Sequence, residues 1–204
     1  MPRVVMASNN PKKAEELRRV LAALALPVEV ACLADFAAYD EPAETASDFE
    51  GNALIKARAA AANTGLTAVA DDSGLEVDVL NRMPGVRSAR WAGSPGDDQR
   101  NLDLVLAQTA DVPEGQRGAR FVCAIALVTP EGREKTWRAT MEGRLAREPR
   151  GGNGFGYDPI FLPEGYEVTS AELSPEEKDA ISHRGKALRL MAAELPGFVG
   201  VVEQ

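Results

Sequence analysis

Thr67-Ala-Val-Ala-Asp-Asp-Ser-Gly-Leu-Glu-Val-Asp-Val-Leu80 carries a β pattern interrupted by an acidic pair. Thr67 to Ala70, small and β-branched, predicts a short buried strand. Asp71 and Asp72 close it, Ser73-Gly74 predicts a turn, and Leu75, Val77 and Val79 alternate with Glu76 and Asp78 as a second strand with one wet face. Carboxylates at the end of a buried strand hold nearly fixed positions, which suits a divalent cation that needs oxygen ligands. The same residue types also suit an Asx-type turn, in which Asp72 or Ser73 only caps backbone groups.

Towards the N-terminus, Val4 to Ala7 is a short apolar strand and Ser8-Asn9-Asn10 a polar turn. Asn10 as N-cap and Pro11 at the first helical position start a helix with Ala14, Leu17, Leu21 and Leu24 on its apolar stripe. Free N–H groups and the helix dipole favour an anion there, and Lys12 and Lys13 stand beside it. The spacing is not that of a Walker loop. Residues 26–41 hold another strand around Val28, Val30 and Leu33. Glu41-Pro-Ala-Glu-Thr45 is an acidic loop. Ser47-Asp-Phe-Glu50 has the form of a capping box for a helix bearing Phe49, Ala53, Ala57 and Ala60 on one side, with Gly65 past its end. Glu50 thus has a local structural role, and Glu44, which has none, is the functional candidate.

Towards the C-terminus, Met83 to Gly93 is an Arg-rich connection with Trp91 covering core, and residues 97–110 form an amphipathic helix. Arg120 to Val128, the turn Pro130-Glu-Gly132 and Glu134 to Met141 make a hairpin. Arg150-Gly-Gly-Asn-Gly-Phe-Gly-Tyr-Asp-Pro-Ile-Phe161 is glycine-rich, so its backbone can approach a ligand, while Phe155 and Tyr157 offer ring faces. Ser174-Pro-Glu-Glu177 is a further capping box, followed by Lys178. Ser182-His-Arg-Gly185 opens the last helix, whose Leu188, Met191 and Leu195 face the core. His183 is the single histidine and the two cysteines, Cys32 and Cys123, lie far apart, so no zinc spacing exists and a hard metal held by carboxylates is the metal reading left.

With 204 residues, 45% hydrophobic and 26% charged, the chain has the composition of a soluble globular protein able to bury a sizeable core. Nothing suggests a disulfide framework, the N-terminus does not read as a signal peptide, and no apolar run approaches the roughly 20 residues of a spanning helix. A cytoplasmic protein without a membrane partner is expected. A net charge of −8 argues against a nucleic-acid polymer but leaves room for a single nucleotide at a local cationic cluster.

In order along the chain stand Ser8-Asn-Asn-Pro-Lys-Lys13, Glu44-Thr45, Asn52-Ala53 with Lys56-Ala57, Ala70-Asp-Asp-Ser-Gly-Leu75, Pro84-Gly-Val-Arg-Ser-Ala-Arg90, Gly154-Phe-Gly-Tyr-Asp-Pro159 and Ser182-His-Arg-Gly185. This set resembles the house-cleaning nucleoside triphosphate pyrophosphatases that remove inosine and xanthosine triphosphates, from about residue 4 to residue 195. The resemblance implies a mixed α/β fold with an elongated central sheet flanked by helices, one domain over residues 1–204 with two lobes and a cleft between them, and a homodimer. It implies Mg²⁺-dependent hydrolysis of a purine nucleoside triphosphate (ITP, dITP or XTP) to the monophosphate and pyrophosphate. Carried over by position, Ser8, Asn9, Asn10, Pro11, Lys12, Lys13 and Lys56 hold the triphosphate. Asp72 is the general base and shares the metal with Glu44, with Asp71 close by as a possible third ligand. Ser73 contacts the substrate, and Phe155, Gly156, Tyr157, Asp158, Lys178, His183 and Arg184 form the nucleoside pocket. The family usually has an acid before the Asn-Ala pair; Gly51 stands there, with Glu50 adjacent as a candidate to take its place.

The chemistry is compatible with these residue types. Phosphoanhydride cleavage needs charge neutralisation and an oriented water, and Mg²⁺ takes one or two carboxylates together with phosphate oxygens and waters. A 6-oxo purine presents an acceptor that His183 and Arg184 can satisfy, where adenine presents a donor. Two other readings compete: a pyrophosphatase for other modified or pyrimidine nucleotides, and a non-catalytic nucleotide-binding module. Acids beside phosphate-binding lysines argue against the second, since a pure anion binder gains little from them.

Overall fold

The computed structural model describes residues 1–200. The elements are β1 (Arg3–Met6), α1 (Pro11–Ala23), β2 (Glu29–Cys32), α2 (Phe49–Thr64), β3 (Thr67–Val77), β4 (Met83–Pro84), α3 (Asp98–Gln108), β5 (Gly118–Val128), β6 (Glu134–Leu145), β7 (Phe161–Pro163), α4 (Pro175–Ile181), α5 (His183–Glu194) and α6 (Pro196–Val199), with short 3₁₀ turns between. Hydrogen-bonded neighbours run β2-β1-β3-β5-β6-β7, and β4 pairs with β3. β1 lies parallel to β2 and to β3, whereas β4 on β3 and β7 on β6 are antiparallel, so the sheet is mixed. The expected mixed α/β class is the one observed.

One expectation at the centre needs correcting. Ser73-Gly74 is not a turn, and Thr67 to Val77 is one strand of 11 residues. Parallel pairing with β1 over Thr67 to Val69 and antiparallel pairing with β4 over Glu76 and Val77 hold both ends of the segment in one sheet, and this tertiary pairing overrides the turn propensity of Asp, Ser and Gly. Asp71 and Asp72 therefore sit inside a strand, not at its tip.

The described chain divides into two compact units: residues 1–72, 123–139 and the described residues from 184 on in the first, and residues 73–122 and 140–183 in the second. In the first, strand alternation sorts the core into two faces. Val4, Met6, Val69, Cys123, Ile125 and Leu127 pack with Leu17 and Leu21 of α1 and with Leu188 and Met191 of α5. Val5, Ala31, Ala68, Ala70 and Ala126, on alternate residues, pack with Ala53, Ala57, Ala60 and Ala61 of α2. Alanine on both sides lets α2 lie close against the strands. In the second unit Leu75 and Val77 join Leu102 and Val105 of α3, Phe121, Met141, Tyr157 and Phe161. Arg117 is buried there, its guanidinium donating to the carbonyls of Leu145, Thr109 and Ala146 at 2.9, 2.5 and 2.9 Å, so its charge is solvated by backbone dipoles.

Helix starts follow local chemistry. Asn10 caps α1 by accepting from Lys12 N–H, with Pro11 beside it, and Ser174 with Glu177 forms the capping box of α4. The cap of α2 lies one residue later than the sequence suggests: Asp48, not Ser47, accepts from Gly51 N–H at 2.7 Å. Asp48→Ala is expected to lower stability by about 1 kcal/mol, read as a shift of the urea midpoint at constant slope; an unchanged midpoint would remove the cap from this description.

Candidate active site

Adjacent residues of a strand point to opposite faces of a sheet, and this parity separates the two aspartates. Asp71 shares the face of Val69 and meets α1 and α5: Oδ1 accepts from Lys13 Nζ at 2.7 Å and Oδ2 from Arg184 Nε at 3.2 Å. Arg184 Nη1 lies 3.7 Å from Glu16 as well. Asp72 shares the face of Ala70 and meets α2: Oδ2 accepts from Asn52 Nδ2 at 3.2 Å, and Oδ1 lies 3.4 Å from Lys56 Nζ. The same Lys56 Nζ lies 2.8 Å from Glu44 Oε1, which the loop between β2 and α2 delivers. Asp71, the possible third metal ligand, has both its oxygens bonded to cations on the other face. Glu44 and Asp72 are the carboxylates that converge.

The electrostatics differ as sharply. Burial by itself would raise the Asp71 carboxyl, but the charges of Lys13 and Arg184, the Lys13 hydrogen bond and the Lys56 charge outweigh it and hold the group well below the usual carboxylate range. Burial also raises Asp72; there the Glu44 and Asp71 charges add to it, and Lys56 with the Asn52 hydrogen bond does not cancel the rise. For Lys56 burial lowers the pKa, yet Asp72, the Glu44 hydrogen bond and the nearby acids carry it above its ordinary value. One aspartate is thus a locked anion. The other is an anion with affinity for a proton.

Ser8 to Lys13 close the helix start: Ser8 Oγ accepts from Asn10 N–H at 3.2 Å and Asn10 Oδ1 from Lys12 N–H at 3.0 Å. Asn9, Asn10, Pro11 and Lys12 are exposed, and the Asn9 amide donates to Glu41, so this turn is tied to the acidic loop. Gly51 gives no room for the acid usual at that place, since a Cβ there would lie 2.5 Å from Ala46 Cβ and 2.9 Å from Asp48 Oδ1. Glu50, the adjacent acid, has its carboxylate 3.6 Å from Arg138. Asn52, which the sequence reading assigns no role, is fully buried and bonded to Asp72. A polar residue one turn before Lys56 on an alanine-lined helix face was the signal available for it.

The second unit gathers the other expected residues. Ser73 Oγ is buried and has no hydrogen-bond partner among the described residues. Asp158 is buried, accepts from Phe155 N–H at 2.9 Å and is paired with Lys178. Lys178 Nζ stands 5.5 Å from the Phe155 ring centre, and that ring is 67% exposed. Tyr157 is buried with its hydroxyl donating to Ser88 O at 2.8 Å, and Gly156 N–H donates to Asp98 at 3.1 Å. Gly154 and Gly156 have φ of +78° and +60°, which only glycine adopts readily. His183 stacks on Phe121 with ring centres 5.1 Å apart. Phe155 is therefore an exposed ring on a loop held by the Asp158–Lys178 pair.

In the first unit the donor set fits a hard cation by its chemistry: two convergent carboxylates, one proton-avid, with a lysine ammonium between them marking where positive charge is favoured. No cluster of three or more His, Cys, Asp or Glu exists among the described residues, so any such ion takes its remaining ligands from elsewhere.

Comparison with known proteins gives the family. The model of the Ham1 family matches residues 4–194. The chain is 56% identical over 205 residues to the dITP/XTP pyrophosphatase of Cutibacterium acnes, covering 100% of this chain and 99% of that one. Among solved structures it is similar to the nucleoside-triphosphatase / dITP/XTP pyrophosphatase of Mycobacterium abscessus, with 57% identity, a TM-score of 0.80 and coverage of 95% and 99%. It is also similar to a HAM1 protein from Coxiella burnetii, with 43% identity, a TM-score of 0.89 and coverage of 97% and 100%. A full-length family match, joined to identities of this size, means that the chain belongs to the Ham1 family.

Proposed function

We propose that this protein hydrolyses non-standard purine nucleoside triphosphates (ITP, dITP, XTP) to the monophosphate and pyrophosphate with Mg²⁺, and that residues 1–204 act as one domain in doing so. The observation that carries the reading is the pair of acids on β3, each meeting its own cations: Asp71 with Lys13 and Arg184, Asp72 with Lys56 beside Glu44. The relatives named dITP/XTP pyrophosphatase support the substrate class.

Glu44 and Asp72 would hold the metal. A Mg²⁺ ion held there would neutralise phosphate charge and make the attacking water easier to deprotonate. Asp72 takes the attacking water's proton on a carboxylate that Asn52 and Lys56 orient. The turn Ser8 to Lys12 offers backbone N–H groups and the positive end of α1 to the phosphates, with Lys13 and Lys56 as point charges. Lys56, held at 2.8 Å by Glu44, keeps the acids from repelling the approaching anion before a metal joins them. Ser73 donates its unpartnered hydroxyl to the substrate.

The nucleoside is met by the Phe155 ring, by Gly156, Tyr157 and Asp158 of the same loop, and by Lys178, while His183 and Arg184 donate to the 6-oxo group. Adenine places an amino donor where these donors point, and such a mismatch discriminates by orders of magnitude. His183→Ala is expected to lower the ITP-over-ATP ratio of kcat/KM by about tenfold or more; equal losses for both nucleotides would refute this role. A homodimer and a cytoplasmic location, with Cys32 and Cys123 reduced, complete the proposal. No helix among the described residues is long and apolar enough to cross a membrane.

The test is product identity from a nucleotide panel with and without Mg²⁺. Pyrophosphate from ITP and XTP only when Mg²⁺ is present is the expected result. Orthophosphate release, preference for pyrimidine or other modified nucleotides, or binding without turnover would each replace this reading with another.

A further inference from the structure

Asn52 is 0% exposed, and both ends of its amide are used. Oδ1 accepts from the backbone N–H of Ala46 at 3.0 Å, and Nδ2 donates to Asp72 Oδ2 at 3.2 Å. Ala46 lies two residues beyond Glu44 in the chain. One turn further along α2 from Asn52 stands Lys56, whose ammonium lies 2.8 Å from Glu44 and 3.4 Å from Asp72 Oδ1. Residues at i and i+4 lie on one helix face, so α2 grips the Asp72 carboxylate by both oxygens and the Glu44 segment at two points. The result is a closed ring running Asn52, Asp72, Lys56, Glu44, Ala46 and back to Asn52.

We propose that Asn52 is a positioning residue for this reaction, fixing the Glu44 loop to α2 and orienting the Asp72 carboxylate so that the two acids stay convergent. The inference rests on the function proposed above. An amide on a one-carbon stem supplies an acceptor and a donor on neighbouring atoms, and it does so without a titratable proton. Aspartate keeps the acceptor for Ala46 but meets Asp72 as a second carboxyl, so the pair either repels or holds a shared proton that keeps Asp72 from accepting one from water. Leucine leaves the Ala46 N–H unsatisfied and Asp72 free to turn. Lys56 alone does not replace the device: its long flexible stem carries a point charge without directional preference.

Asn52→Asp and Asn52→Leu separate the two halves of the role. The probes are exchange of the Ala46 amide in the resting protein, Mn²⁺ affinity by electron paramagnetic resonance, and kcat and KM for ITP at saturating Mg²⁺. Asn52→Asp is expected to leave Ala46 exchange within about twofold and KM within about threefold, while kcat falls about 10- to 100-fold. Asn52→Leu is expected to speed Ala46 exchange about tenfold or more and to weaken Mn²⁺ binding about 10- to 100-fold. If the Asp variant keeps wild-type kcat and Mn²⁺ affinity, the inference is overturned, whatever the folding of the Leu variant. Wild-type protein in the same assays makes the two failures distinguishable. A wild type that binds no Mn²⁺ and releases no pyrophosphate sinks the functional reading and this inference with it. A wild type that does both beside an unaffected Asp variant sinks the inference alone.

Discussion

Asp72→Asn is expected to lower kcat for ITP by about 10²- to 10⁴-fold, the size of a general-base contribution, with nucleotide affinity at saturating Mg²⁺ kept within about tenfold. The change leaves an oxygen to accept from Asn52 and leaves Lys56 paired with Glu44. What it removes is the group that takes a proton and one anionic metal ligand, a loss that saturating Mg²⁺ offsets. Stability should hold or rise at neutral pH. The native pKa of Asp72 is raised by burial and by Glu44 and Asp71, so its ionised form costs stability once the pH exceeds the unfolded value, and a neutral amide lifts that cost. Stopped turnover in a protein that still binds nucleotide and melts no lower is the combined signature. Turnover near the wild-type level would remove Asp72 from the role of base.

The neighbouring substitution should act in the opposite sense on stability. Asp71→Asn deletes the counter-charge of Lys13 and Arg184 in a place where the aspartate side chain is 1% exposed and the cations 24% and 17%. Breaking a buried pair by removing one partner costs about 3–5 kcal/mol, a large share of the roughly 5–15 kcal/mol that holds a domain folded. Because the native pKa of Asp71 is depressed, its contribution is complete above the unfolded value of about 3.9 and is lost as the pH falls through the native one. Urea unfolding of wild type and variant should therefore differ most at neutral pH, and the gap should narrow below about pH 4. A gap that widens in acid, or a variant as stable as wild type at pH 7, contradicts the ion-pair assignment.

Much of this was legible because it is local. Asn10 with Pro11, and Ser174 with Glu177, announce helix starts by side chains that bond within three residues. The run through Cys123 to Leu127 is a strand in the sequence and a fully buried one in the structure. Three features were not legible, and long-range pairing decides the first and the last of them. Ser73-Gly74 has turn chemistry, yet β1 and β4 hold its flanks in one sheet, and the continuous strand sends Asp71 and Asp72 to opposite faces. Ser47 and Asp48 are both good caps, and the short Asp48–Gly51 bond selects the second. Asn52 gave no signal of its partners, since Ala46 and Asp72 reach it through the fold of the acidic loop and the register of β3. In the candidate site the acids and lysines could be named in advance; the division of labour between the aspartates could not.

That division is tested most directly by an anomalous difference map from a crystal soaked with Mn²⁺ and a non-hydrolysable ITP analogue. A manganese peak touching the carboxylates of Glu44 and Asp72 and the analogue's phosphates, with Asp71 still bound by Lys13 and Arg184, is the expected result. A peak coordinated by Asp71, or phosphates bound with no metal at Asp72, would contradict it.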